Sequence, residues 1–267
     1  MSQKADFVAV DPVSPPAAYI GGKRQLAKRI CQKIDNMPHS LYAEPFVGMG
    51  GVFFRRTSAP RAEFINDRSK DVANLFRILQ RHYPQLMDTL RFQITSRADF
   101  ERLTVTDPET LTDLERAARF LYLQRLTFGG KVAGRTFGVD YSRSSRFNLT
   151  TLAPMLQEVH ERLAGVVIEN LDWKAFIERY DRPETLFYID PPYWGSEGYY
   201  GKELFDRTQF QVLADMLMEI KGRFLLSIND VPEIRTTFAA FKIEDVALTY
   251  TAAGGAGKSV RELIISN

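Results

Sequence analysis

Cysteine and histidine are nearly absent. There is one thiol, Cys31, and three imidazoles, His39, His82 and His160, in 267 residues. A single cysteine excludes a disulfide framework, and so few soft ligands argue against a zinc site. Long apolar runs are missing too, so no stretch reaches membrane-spanning length. The first residues lack the basic-then-apolar pattern of a secretion signal. No one sign of charge dominates, with 35 Lys and Arg against 33 Asp and Glu. These absences predict a cytoplasmic, metal-free protein. Hydrophobic residues make up 45% of the chain, enough to fill a core. The length allows one large domain, or one domain carrying an insertion.

Asp190-Pro191-Pro192-Tyr193 directly follows the apolar run Leu186-Phe187-Tyr188-Ile189. Such a run reads as a buried strand, and two prolines cannot continue its ladder. One carboxylate, two prolyl carbonyls and one aromatic ring therefore stand at a strand's C-terminal edge, where open α/β sheets bind ligands. That set suits methylation of an amino group conjugated to a ring. A carboxylate and a fixed carbonyl can accept its two N–H bonds while a tyrosine stacks on the base. An ordinary strand ending in a Pro-Pro turn would look the same in isolation.

A second constellation lies earlier. Leu41–Phe46 reads as a strand and runs into Val47-Gly48-Met49-Gly50-Gly51, followed by a helix through Val52-Phe53-Phe54. This resembles a dinucleotide fingerprint with Phe53 in place of the third glycine, which a pyrophosphate would require. Asp67 ends the next strand, 62–67, close to the spacing at which an acid reaches ribose hydroxyls. A nucleoside cofactor without a pyrophosphate fits both facts, and S-adenosylmethionine is the common one. A tight turn beside an unrelated capping aspartate is the alternative. Gly254-Gly255-Ala256-Gly257-Lys258-Ser259 imitates the end of a phosphate-binding loop. It has Ala252 where that loop needs glycine and a strand, 260–265, where it needs a helix, so it reads as a hairpin loop.

Between Arg116 and Arg146 seven basic residues (Arg116, Arg119, Arg125, Lys131, Arg135, Arg143, Arg146) face Asp140 alone. A local basic stripe in a balanced chain points to a polyanion, or to a solvated helical face. Residues 1–16 are polar and proline-bearing and read as an arm. Tyr19-Ile20-Gly21-Gly22-Lys23 is a glycine turn carrying Lys23 to the start of a helix. From about Asp71 to Leu163 the periodicity is helical, most strongly over Leu114–Leu126, with a glycine-rich hairpin or loop over 127–148. Further strands are expected at 165–171, 186–190, 224–228, 241–246 and 260–265. Strands and helices on both sides of a helical block predict an α/β sheet interrupted by an insertion.

Taken in order, these elements resemble the Dam-type, alpha-group family of DNA adenine-N6 methyltransferases. The similarity rests on Tyr19-Ile20-Gly21-Gly22-Lys23, on Glu44-Pro45-Phe46-Val47-Gly48-Met49-Gly50-Gly51, and on Asn66-Asp67. It continues through Asp190-Pro191-Pro192-Tyr193, Phe224–Asp230 and Arg261–Asn267. The resemblance implies a Rossmann-like, S-adenosylmethionine-dependent methyltransferase sheet with an inserted, mainly helical DNA-recognition subdomain. Residues 17–70 and 165–267 would form the catalytic domain and 71–164 the insertion. Asp190, Pro191, Pro192 and Tyr193 would be catalytic. Tyr19, Gly22, Lys23, Glu44, Phe46, Gly48, Gly50, Asp67, Asp172 and Asp190 would hold the cofactor. Arg116, Arg125, Lys131, Arg135, Arg143 and Arg146 would bind double-stranded DNA, with Arg135 reading base edges. The family allows a cognate restriction endonuclease as partner, and nothing requires more than a monomer. The 129–146 segment departs from the family hairpin, so no target sequence carries over. N4-cytosine methylation, methylation of RNA or a protein amide, and a non-catalytic DNA-binding module remain open.

Overall fold

Residues 185–189 are buried at all five positions, as a strand covered on both faces must be. The computed structural model describes residues 7–139, 141–142, 144–195, 205–250 and 258–267. The chain begins with β1 (Val8–Ala9), α1 (Ala27–Asn36), β2 (Leu41–Glu44), β3 (Ser58–Ala59) and β4 (Ala62–Asn66). Five helices follow: α2 (Lys70–Arg81), α3 (Tyr83–Leu90), α4 (Arg97–Val105), α5 (Asp113–Leu126) and α6 (Leu149–Arg162). Then come β5 (Val167–Glu169), α7 (Trp173–Tyr180), β6 (Thr185–Ile189), α8 (Thr208–Met218), β7 (Arg223–Asn229), α9 (Pro232–Thr237), β8 (Lys242–Tyr250) and β9 (Lys258–Ser266).

Seven strands form one sheet in the order β5-β4-β2-β6-β7-β9-β8. The first five run parallel, and β9 enters antiparallel between β7 and β8. The parallel part repeats the doubly wound order, with its direction of growth reversing between β2 and β6. This is a Rossmann-like, doubly wound α/β sheet, and the sequence placed all seven strands. Side-chain alternation divides the core. Leu186 and Tyr188 join α1, α2, α5 and α6 on one face, while Phe187 and Ile189 join α7, α8 and α9 on the other.

The helical block between β4 and β5 is organised around α5. A reciprocal capping box between Thr112 and Glu115 starts that helix, and Ala117 to Leu126 are buried apart from Arg125. Its apolar residues belong to the same cluster as Ile65 and Leu186 of the sheet. Helices and sheet face thus share one core. The glycine-rich segment after α5 turns back on itself: Thr127 bridges Phe137 in antiparallel fashion, Phe128 donates to the Thr136 carbonyl and Gly138 to that of Leu126.

Two expectations needed correction. The described part of the expected arm, residues 7–16, is structured. β1 pairs antiparallel with β3, Val13 is buried, and its N–H donates to the Phe54 carbonyl at 2.8 Å. The expected helix through Val52–Phe54 is a single 3-10 turn, Phe53–Arg55. Arg56 goes extended there, because its fully buried guanidinium must reach Glu63. The loop 254–257 lies outside the described residues, although β8 and β9 pair on either side of it.

Glu63 of β4 fastens the helical block to the sheet. It takes Arg56 at 2.6 Å and Arg162 of α6 through two contacts of 2.6 and 2.9 Å. The Arg162 guanidinium lies 4.1 Å from the Phe53 ring centroid, and that of Arg56 3.9 Å from Tyr42. Removing one partner from a buried ion group leaves the others uncompensated, typically costing about 3–5 kcal/mol. Glu63→Ala should therefore lose about that much unfolding free energy in urea titrations, far more than removal of an exposed partner such as Glu109.

Candidate active site

Three parallel strands, β2, β4 and β6, end side by side at the reversal point of the sheet, and their following loops enclose a cavity of about 300 Å³. Tyr19, Phe46, Gly48, Asp67 and Asp190 line it, together with Val132 from the segment after α5. Gly22, Lys23, Glu44 and Pro192 also reach it. Most of the expected cofactor residues, far apart in sequence, thus surround one space.

The loop after β2 owes its shape to glycine. Gly48 has φ +51° and Gly50 φ +71°, a region that costs other residues strain. A Cβ at Gly48 would sit 3.0 Å from the Tyr19 ring, so Tyr19 rests directly on the loop. Gly50 does not line the cavity. A Cβ there would fall 2.3 Å from the Phe54 ring, so its role is packing, and Met49 faces the cavity in its place.

Asp67 ties the neighbouring loop to this one. Its oxygens accept the Gly48 N–H at 2.9 Å and the Ser69 N–H at 2.8 Å. Burial pushes its carboxyl up to about 6, against the pull of those two backbone bonds. Glu44, buried at the end of β2, accepts the Tyr42 hydroxyl at 2.9 Å. Burial, with Asp190 adding to it, drives Glu44 well above the usual carboxylate range.

At the end of β6, Asp190 binds the Lys23 ammonium at 2.6 Å and accepts the Ser227 hydroxyl at 3.2 Å. Burial raises its carboxyl to about 6, with Lys23 opposing the rise. Lys23 is itself 3% exposed and donates to the Tyr193 hydroxyl at 2.5 Å. Burial pushes Tyr193 far above its usual range, and the carboxylates of Asp190 and Glu262 push it further. Pro191 and Pro192 are buried. Asn229, at the end of β7, brackets the following residue, accepting the Trp194 N–H at 3.0 Å and donating to its carbonyl at 3.1 Å. The sequence marked Ser227 and Asn229 only as a familiar strand end. Their hold on the 190–194 turn depends on strand order, which no local pattern carries.

The wall carrying Tyr19 is pinned from the helical block. Ile20 donates to the Gly130 carbonyl at 3.0 Å. Gln124 of α5 donates to Ala18 and Gly130 carbonyls at 2.8 and 2.7 Å. A Cβ at Gly130 would lie 2.9 Å from the Tyr19 backbone.

Several expected residues sit elsewhere. Asp172 is exposed and caps α7, accepting the Lys174 N–H. With Trp173 buried as the first helical residue, the carboxylate is directed at the helix end. Arg116 binds Asp71 at 2.6 Å and Glu109 at 3.1 Å. Arg119 donates to the Leu103 and Thr104 carbonyls. Arg125 donates to the Arg146 and Pro16 carbonyls. Arg135 folds back to 5.8 Å from the Phe120 ring centroid, and its Nε and Nη2 are buried without partners among the described residues. These arginines serve the block's interior, so the expected basic stripe is not one surface. Lys131 and Arg146 are half-buried, and Arg143 lies outside the described residues. No helix among the described residues is long and apolar enough to cross a membrane, and no metal-ligand cluster occurs among them.

Comparison with known proteins agrees with this geometry. The model of the D12 class N6 adenine-specific DNA methyltransferase family matches residues 19–252. The chain is 27% identical over 275 residues to the type II methyltransferase M1.LlaDCHI of Lactococcus lactis subsp. cremoris, with 95% of each covered. It is 22% identical over 233 residues to the type II methyltransferase M.CviBI of Paramecium bursaria Chlorella virus NC1A, covering 86% of this chain and 88% of that one. The DNA N-6-adenine-methyltransferase of Escherichia phage P1 is 28% identical over 251 residues. That match covers 85% of this chain but 31% of the phage protein.

The raised carboxyl of Asp67 has a consequence for stability. A carboxyl with a folded value near 6 against an ordinary 3.8 favours the fold when protonated. Its contribution is complete below about 3.8 and is lost as pH rises through about 6. Asp67→Asn should remove this decline between those values, measured as unfolding free energy in urea against pH. An unchanged slope would show that the wild-type carboxyl is not the group responsible.

Proposed function

The chain belongs to the D12 class of N6 adenine-specific DNA methyltransferases, and from that premise we propose how its own residues carry the reaction. The observation behind the proposal is the placement of Asp190, Pro192 and Lys23 on the same cavity as the Gly48 loop and Asp67. The cavity suits a nucleoside lacking a pyrophosphate. Phe53, where a third glycine would allow close phosphate approach, is fully buried, and Tyr19 and Phe46 supply aromatic walls. S-adenosylmethionine would supply an electrophilic methyl group there. Tyr19, Phe46 and the Gly48 loop would hold its apolar faces. Asp67 gives one lone pair on each oxygen to a backbone N–H and keeps others for ribose hydroxyls.

The target adenine must leave the duplex to reach such a site, at a cost of about a few kcal/mol. Stacking on Tyr193 would offset it, at about 1–3 kcal/mol. Asp190 and the Pro191 carbonyl would accept the two N–H bonds of the exocyclic amine and aim its nitrogen. Positioning supplies most of the rate, and bonds that strengthen as the nitrogen becomes positive supply the rest. Lys23 keeps Asp190 in its accepting, ionised form near neutral pH. No covalent enzyme intermediate is needed. Cys31 is buried in α1, its thiol pushed up to about 11 by burial, which makes it a poor nucleophile.

Of the expected DNA contacts, Lys131, Arg146 and Arg143 remain the proposed phosphate ligands, since Arg116, Arg125 and Arg135 have internal roles. A cognate restriction endonuclease is the proposed functional partner, because two relatives are named type II methyltransferases. The enzyme would act as a monomer, in the cytoplasm where its DNA substrate is found.

The test is incubation with unmethylated bacterial DNA and methyl-labelled S-adenosylmethionine, followed by nucleoside mass spectrometry. N6-methyladenine should appear with the wild-type chain and fall at least 1,000-fold, by roughly 4 kcal/mol of barrier, in Asp190→Ala. Label in N4-methylcytosine would move the reaction to the other base. DNA affinity should fall with salt at a logarithmic slope of roughly −0.9 per phosphate contacted. Lys131→Ala should make that slope shallower by about one contact, as read by fluorescence anisotropy.

A further inference from the structure

Three acids, Glu44, Asp67 and Asp190, line the cavity together with four basic residues, Lys23, Arg24, Arg55 and Arg68. Lys23 is engaged by Asp190 and Tyr193. Arg24 and Arg68 are exposed, where water already solvates them. Arg55 differs from all three. It is half-buried at the end of the Phe53–Arg55 turn, and its Nη1 donates back to the Gly51 carbonyl at 2.5 Å. A Cβ at Gly51 would stand 3.8 Å from that nitrogen and 3.4 Å from the Lys23 main-chain nitrogen. The guanidinium is thus anchored where the glycine loop after β2 meets the 19–23 turn.

Its charge has no counterpart. The adjacent Arg56 pairs with Glu63, but Arg55 forms no ion pair among the described residues. Burial lowers its pKa, and the like charge of Arg24 lowers it further. An arginine cannot shed its proton to escape this, so a partly desolvated guanidinium is costly until an anion meets it. The donor proposed for this cavity carries one, the carboxylate on the amino-acid arm of its sulfonium. Asp67 and Asp190, assigned to the ribose and to the target amine, would repel that group. Arg55 is the anchored cation left to receive it, and a guanidinium matches a carboxylate with two parallel N–H bonds.

We propose that Arg55 is the counter-ion of the donor's carboxylate and so selects an intact amino-acid arm on the nucleoside. The inference rests on the S-adenosylmethionine reading of the cavity. The bond to Gly51 holds the side chain in advance, which reduces the rotamer freedom it would lose on binding. A DNA phosphate is the competing anion. The half-buried place of Arg55 on the cavity, against the glycine loop, favours the carboxylate.

The test is binding rather than turnover. The full chain, Arg55→Met and Arg55→Gln are titrated calorimetrically with S-adenosylmethionine and with its decarboxylated analogue, which keeps the adenosine, the sulfonium and the ammonium. The acids of the cavity alone would favour the more cationic analogue, so a preference for the intact donor requires a cation. Wild type should bind S-adenosylmethionine roughly 10- to 100-fold more tightly than the analogue, the scale of a hydrogen bond between charged groups. In both variants that preference should vanish or reverse, with affinity for the analogue little changed. The ratio is taken within each protein, and either variant supplies it if the other does not fold. A variant that keeps the wild-type preference overturns the inference. So does a wild type that binds the two equally. Loss of a salt-dependent DNA contact in Arg55→Met, with the preference intact, would assign the guanidinium to a phosphate instead. A wild type that binds neither compound sinks the donor reading itself, a result distinct from equal binding of both.

Discussion

A buried ammonium cannot stand alone in a protein interior, and Lys23 satisfies that demand by joining parts of the chain that share no secondary structure. Its segment, residues 19–23, belongs to no strand, yet it carries one wall of the cavity. Pairing with Asp190 at 2.6 Å and Tyr193 at 2.5 Å fixes that wall against the end of β6. The opposite side of the segment is tied to Gly130 and Gln124. Without the pairing, the glycine-rich turn would have little to locate it, since glycine carries no side chain to pack and retains wide backbone freedom.

The sheet provides the rigid base for this arrangement. Ser227 and Asn229 lie on one strand, one spacing apart on the same face, and each reaches the 190–194 turn. The Asp190 carboxylate is therefore located by its own strand and by the neighbouring one. On the far side, Asp67 locks the two loops that follow β2 and β4 to each other through the Gly48 N–H. The cavity is thus bounded by loops that are short, mutually bonded and mounted on buried strands, which is how a fold holds reacting groups in place.

Much of this was legible in the sequence. Apolar runs bounded by turns located every strand of the main sheet, most sharply β6 and β7, whose burial on both faces leaves that mark. The proline pair identified the strand end that carries Asp190. Local patterns failed where the deciding partner was distant. The arginines of α5 looked like a basic surface because charge counting sees signs and not contacts. Asp71, which neutralises Arg116, lies 45 positions away. Asp172 matched a binding position but acts as a helix cap, two functions that a carboxylate before a helix can equally serve. The pairing of β1 with β3 escaped notice since two-residue strands carry no periodicity.

The approach of Gly130 to Tyr19 and the place of Val132 on the same cavity bear on how separable the helical block is. Five helices enter the chain between two neighbouring strands, which looks like a detachable cassette. The boundary is not clean, because the cassette donates Val132 to the lining of the cavity proposed to hold the methyl donor. On the proposed assignment, exchanging it for that of a relative would alter a wall of the donor site together with whatever the block itself binds. Keeping that wall in place would then require either the Gly130 contact or compensating changes at residues 17–20. Modularity here stops one loop short of the cavity.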